Sequence, residues 1–403
     1  MRWVRAVSAT TCSARKIARQ RTMPTAGAIK RATSSMSRRT LWLGNSLIVV
    51  VSLIIASAGV ELVLRTRSIW HQSAAAPAVA MPAPPPALST TDREEIPREV
   101  LAKTEPRRNL IIMPEEWKRV SVQIPGAYRA FRWHGNIEVQ NEYRMRWTTP
   151  FPAKRPDVYR VMVVGDSLTY GEGLPEEDTF VSLLNNWMAR DYRIEFLNLG
   201  VPGFNSDDIL KVVKTFLPQL MPDLVLYAVC LNDFLRSGQG EYEATYAFPL
   251  PEGLKRFFIE QTRFGTLLNE SYDTVLRRLH FRRDFFDDIL RDFAGNQQQF
   301  RRDVFDMNAT VRTAGLPPMV GLVLNQFVEH EGRGHRIARV AENYLAEAGV
   351  DVISTEDYYR TYHGQSMRVS QWDGHPDEVA NYIWARMIFR QLDQRSDIKK
   401  YKR

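Results

Sequence analysis

Residues 158–173 read VYRVMVVGDSLTYGEG. The stretch begins as a β-branched, apolar run and breaks abruptly at Gly165-Asp166-Ser167, after which a helical pattern follows. A serine at that junction lies at a helix N-terminus with its backbone N–H turned outward. Two readings are open here: a turn residue closing a buried strand, or a nucleophile.

Downstream of Asp157 the same succession of strand, turn and helix recurs. Strand-like runs are YRVMVVG (159–165), IEFLNLG (194–200), DLVLYAVC (223–230), MVGLVLNQF (319–327) and DVIST (351–355). Between them, helical spacing covers 180–190, 206–216, 298–314 and 335–348. Apolar strands alternating with amphipathic helices predict an α/β fold with a parallel sheet covered on both faces. Active sites in such sheets lie beyond the C-terminal strand ends. Ser167, Gly203 and Asn232 all fall there. One insertion, 234–297, interrupts the alternation. In it Phe264, Leu267, Leu268, Tyr272, Val275, Leu276 and Leu279 recur at helical spacing, and Phe285, Phe286, Ile289, Leu290 and Phe293 form a second group. These are helices on the sheet edge or a cap over the strand ends.

Upstream, the chain changes character three times. Residues 1–40 carry ten Lys/Arg and no acid, which accounts for the net charge of +8. The remaining 44 basic and 46 acidic residues nearly cancel, so no basic face for nucleic acid is implied. Residues 41–60, LWLGNSLIVVVSLIIASAGV, are uncharged and long enough to cross a bilayer as one helix. Arg38 and Arg39 before them predict a cytoplasmic N-terminus and an extracytoplasmic remainder, periplasmic in a Gram-negative cell. The competing reading is a signal peptide cleaved after Ala56-Ser57-Ala58. Residues 61–95 form a linker whose Ala/Pro-rich part predicts an extended spacer. Residues 96–156 read as a small β-rich lead-in, from KRVSVQI, YRAFRW and NIEVQ, before a main domain at 157–397. Cys12 and Cys230 are the only cysteines, so neither a structural disulfide nor a Cys-rich metal site is expected.

A serine nucleophile needs a base. His375, in WDGHP, has Asp373 two residues before it to hold the imidazole in one tautomer. Asn232, in VCLND, offers a side-chain amide to an oxyanion, or forms a turn with Asp233. Gly203, in NLGVPGFNS, reads equally as a Pro-Gly turn. HEGRGH places His330 and His335 five apart across two glycines, unlike the helical zinc motif. The G-x-S-x-G nucleophile elbow is absent around Ser167.

Together VVGDSLTYGEG, NLGVPGFNS, VCLND and WDGHP, in this order, resemble the four sequence blocks of the SGNH (GDSL) hydrolase family. The resemblance spans about 157–395. It implies a flavodoxin-like three-layer fold and ester hydrolysis without metal or cofactor. It also implies Ser167 as nucleophile, Gly203 and Asn232 as oxyanion donors and His375 as base. One departure is that the family often places Asp three residues before the histidine, where this chain has Trp372. Expected partners are an ester substrate, a glycan O-acetyl group or a lipid ester, and the membrane. An O-acetyltransferase using the same site and a non-catalytic polysaccharide-binding or scaffolding domain are the alternatives.

Overall fold

The computed structural model describes Ser52, residues 54–62, 96–108, 119–146, 151–236, 247–279, 281–329, 331–370 and 373–403. By internal packing the chain divides into residues 1–62 and 63–403. In the first unit the described residues are helical. Among the described residues, no helix is long and apolar enough to cross a membrane. The basic tail, most of the apolar segment 41–60, and the linker beyond Leu62 lie outside the described residues.

The second unit is built on five parallel strands, β4 (Tyr159–Gly165), β5 (Ile194–Gly200), β6 (Leu224–Cys230), β7 (Val320–Leu324) and β8 (Asp351–Ile353). Their order is β5-β4-β6-β7-β8. Every residue of β4, β6 and β7 is buried, which demands cover on both faces. Two helix groups supply it. Ser206–Leu220 packs on Phe293–Thr313, which packs on Arg333–Glu347, while Phe180–Asp191 packs on Glu378–Asp393. The chain leaves β4 outward to β5 and then crosses back to β6 on β4's other side. That reversal makes the C-terminal ends of β4 and β6 the switch point of the sheet.

Most strand and helix expectations fall within a few residues of the observed bounds. The helix expected over 206–216 is longer than its spacing indicates: Ser206–Leu220 runs through Pro218. Pro218 costs only its bond to the carbonyl of Lys214, which lies on the exposed side where water can replace it. The inserted residues form Glu252–Gln261, Arg263–Arg278 and Phe285–Arg291, and the next helix begins early, at Phe293. Phe285 and Phe286 pack on Phe327, just past β7.

Ahead of the main sheet, the helix Arg98–Arg108 lies against Glu378–Asp393. Three short strands follow, β1 (Val120–Val122), β2 (Arg129–Trp133) and β3 (Asn136–Gln140), paired antiparallel in sequence order. β2 and β3 are joined by the two-residue turn His134-Gly135. Both residues sit at positive φ, 48° and 80°. This is the backbone of a type I′ hairpin, in which Asn is favoured at the first place and His is unusual.

Candidate active site

Ser167 begins a four-residue helix, Ser167–Tyr170, immediately beyond β4. Asp166 caps that helix by accepting the Leu168 N–H at 2.9 Å. The helix lies so close to the strand ends that only glycine fits beneath it. A Cβ on Gly200 would meet the backbone of Tyr170 at 2.3 Å and of Thr169 at 2.7 Å. Gly165, paired with Gly200 on one side and Ala228 on the other, is equally crowded. The apolar run and its terminal glycine therefore hold Ser167 at the edge of the sheet, where it remains 8% exposed.

The other strand-end residues occupy neighbouring loops. Gly203 follows β5 in the turn Val201–Phe204, closed by Phe204 N–H to Val201 C=O at 3.2 Å. Its φ of +81° is the left-handed geometry such a Pro-Gly turn requires. No side chain or backbone atom crowds its exposed face. Asn232 follows β6, and its side-chain amide favours the charged form of the Asp166 carboxyl. Asp233 beside it is tied inward, accepting from Tyr227 Oη at 2.7 Å and the Cys230 N–H at 3.1 Å. The hydrogen bonds of this turn are thus carried by the Asp233 side chain.

His375 and Asp373 come from a loop folded on itself between the last strand and the last long helix. Val369 N–H donates to His375 C=O at 2.7 Å, and Asp377 N–H to Met367 C=O at 3.0 Å. The two-residue spacing from Asp373 has a direct geometric consequence. One carboxylate oxygen, Oδ1, accepts both the backbone N–H of His375, at 3.0 Å, and its Nδ1, at 2.6 Å. The local Asx turn and the imidazole clamp are made by the same atom, so no third intervening residue is needed.

Two further groups were not legible as site residues. His134, at the tip of the lead-in hairpin, brings Nε2 to 2.8 Å from Asp373 Oδ2, filling the second carboxylate oxygen. Glu172 stands between Gly171 and Gly173, both at positive φ, and its Oε2 lies 3.0 Å from His375 Nε2. Gly173 is packed against His134 and Asp373, while Arg146 binds the carbonyls of Tyr170, Gly171 and Leu174 from below. The only trace of either group in the sequence is a pair of short signals, HG between two strands and YGEG after the serine.

Burial by itself disfavours charge on both Asp373 and His375, but their pairing outweighs it. The charge of His375 and the bonds from His134 and His375 hold the Asp373 carboxyl well below the usual range. Asp373 first, and Glu172 second, hold the His375 imidazole well above its ordinary value. Asp166, wholly buried, is pushed up by desolvation. Among the described residues no cluster of His, Cys, Asp and Glu could hold a metal ion.

A family model described as GDSL-like Lipase/Acylhydrolase matches residues 163–381, more than half of the chain. The chain belongs to that family, and it is a hydrolase acting on ester bonds. Among solved structures it is similar to TesA, at 16% identity over 58% of this chain and 97% of that one, with a TM-score of 0.37. The psychrotrophic esterase EstA from Pseudoalteromonas sp. is similar at 14% identity, 58% and 97% coverage and a TM-score of 0.36. Axe2, an acetylxylan esterase from Geobacillus stearothermophilus, in a catalytic mutant, gives 13%, 58% and 93%, and 0.38. No curated protein sequence matches.

Proposed function

We propose that Ser167 is the nucleophile of this ester hydrolase and His375 its base, oriented by Asp373. The observation that carries the reading is the double hold of Asp373 Oδ1 on His375, whose Nε2 lies 3.0 Å from Glu172, five residues beyond Ser167. In the reaction, Ser167 Oγ attacks the acyl carbonyl as Nε2 of His375 takes its proton. The oxyanion is met by the Ser167 N–H at the helix start, the Gly203 N–H and the Asn232 amide. His375 then protonates the departing alcohol, and water repeats the sequence on the acyl-enzyme. The order of strands and the two helix groups support a flavodoxin-like three-layer arrangement of this domain.

The substrate we infer is an O-acyl group on an envelope or exported glycan. Its support is positional. The uncharged segment 41–60 behind Arg38-Arg39, followed by an Ala/Pro-rich spacer, suits a membrane-anchored enzyme with its domain held outside the cytoplasm. An acetyltransferase would use the same five residues and pass the acyl group to a sugar hydroxyl instead of water.

The test is turnover of a p-nitrophenyl acyl series by the full chain, with fluorophosphonate labelling alongside. Ser167→Ala and His375→Ala each lower turnover by about 10⁶-fold, and Ser167→Ala abolishes labelling. Activity surviving in Ser167→Ala rejects the mechanism. Failure of wild type both to label and to turn over any chain length favours the scaffolding reading. Acyl transfer to an added glycan, measured against hydrolysis, identifies the transferase.

A further inference from the structure

Two carboxylates face the imidazole of His375. Asp373 holds Nδ1 at 2.6 Å, and Glu172 Oε2 lies 3.0 Å from Nε2. Nε2 is the nitrogen that must meet Ser167 Oγ for proton transfer. Ser167 Oγ instead donates to Asp166 Oδ2 at 3.4 Å. Glu172 is buried, and its other oxygen, Oε1, accepts from Arg119 Nη1 at 2.7 Å. Arg119 lies over the rings of Phe131 and Trp133, 4.2 and 4.6 Å from their centroids. Trp133 also meets the His375 ring edge-on, 6.0 Å between centroids.

Resting on the reading of Ser167 and His375 as nucleophile and base, we propose that Glu172 is a latch on His375. It occupies Nε2 in the resting enzyme, and Arg119 of the lead-in receives it when Ser167 reacts. A nitrogen that donates to a carboxylate carries a proton and has no lone pair for the serine hydroxyl. The Nε2 proton must first leave to solvent. Once it has gone, the lone pair and the carboxylate repel, and Arg119, with its planar fork already on Oε1, offers the nearest alternative partner. The backbone need not move. Glu172 N–H stays on Ser167 C=O at 3.1 Å while the side chain turns.

Among the described residues, the charged and titratable groups around this imidazole come from three elements. Its own loop supplies Asp373, backed by His134. The Ser167 turn supplies Glu172 and, through space, Asp166. The lead-in supplies Arg119, while Glu138 lies behind Glu172 and feels Arg146 as well. Removing the Glu172 charge therefore takes away the second of the two anions that bond the ring directly.

The experiment is an NMR titration of the histidines of the full chain, with His375 assigned by its loss in His375→Gln. It is run together with pH profiles of kcat/KM on a p-nitrophenyl ester. Glu172→Gln is expected to lower the His375 midpoint by about one pH unit, raising turnover about tenfold at a pH on the acid limb. Glu172→Ala, which has no acceptor, moves both in the same direction and covers the case of a poorly folding Gln variant. Arg119→Met leaves Glu172 on the ring and moves both the opposite way, and the double variant Arg119→Met/Glu172→Gln follows Glu172→Gln. A His375 midpoint that stays or rises in both Glu172 variants overturns the latch, because a simple brace between lead-in and core would give that result. A lowered midpoint with turnover reduced at every pH also overturns it. A wild type that neither labels with fluorophosphonate nor turns over ester defeats the nucleophile reading instead, and the titration still reports whether Glu172 holds the ring.

Discussion

Gly200 shows how tightly a single position can govern the serine. A methyl there would strike the backbone of residues 166, 169 and 170, none of which can yield as a flexible side chain would. Gly200→Ala is expected to cost about 1–3 kcal/mol in urea denaturation and to slow fluorophosphonate labelling, because the Ser167 helix must lift. Asn232→Ala tests a different contribution. Asp233 carries the local side-chain hydrogen bonds of this turn, so folding should be little affected. Turnover should fall about 10²–10³-fold, and a fall in stability with unchanged kcat would reassign Asn232 to the turn. At this scale the sequence was informative about residue type and position. It was silent about which oxygen of Asp373 meets which nitrogen.

The lead-in strands show what element-level reading misses. Their alternation was visible in RAFRW and NIEVQ, yet their relation to the site was not, because pairing Asp373 with His134 joins residues 239 positions apart. The hairpin turn carries the strain of that contact, a histidine held at φ 48° where asparagine is favoured. His134→Asn separates the two roles. Asparagine suits the turn, so the hairpin keeps its form, but its short amide cannot reach Asp373 as the ring does. The expected outcome is a lowered kcat with a thermal midpoint within a few degrees of wild type. His134→Leu also forces a branched apolar residue into the left-handed turn position, and should lose about 1–3 kcal/mol as well. Equal loss of stability in both variants with kcat intact would make His134 a structural residue only. The insertion offers a contrast: Arg263–Arg278 and Phe285–Arg291 were legible from spacing alone, because an amphipathic pattern needs only local sequence, while Glu252–Gln261 was not read.

Across the whole molecule, the Asp373–His375 pair ties activity and stability to pH in opposite ways. Activity requires a neutral His375, and its raised value places the acid limb of kcat/KM above the ordinary histidine value of about 6.5. Rates should therefore still be climbing through neutral pH, as a stopped-time ester assay across pH 5–10 would show. Stability follows the charged pair. The depressed Asp373 contributes above about pH 4 and loses its contribution as pH falls through its folded value. The elevated His375 contributes fully below about pH 6.5 and loses its contribution as pH rises through its folded value. The urea-denaturation difference between wild type and Asp373→Asn should thus be greatest between about pH 4 and 6.5 and shrink on either side. By itself the sequence determined the alternation of strands and helices, the end of the sheet on which Ser167, Gly203 and Asn232 lie, and the local Asp373–His375 pair. Those features are periodic or local, and local spacing is enough to specify them. Only the tertiary structure decided that His134, Arg119 and Glu172 join the site. Each acts through a side-chain contact made across separate elements, and the distance at which those elements settle depends on packing that no local pattern encodes.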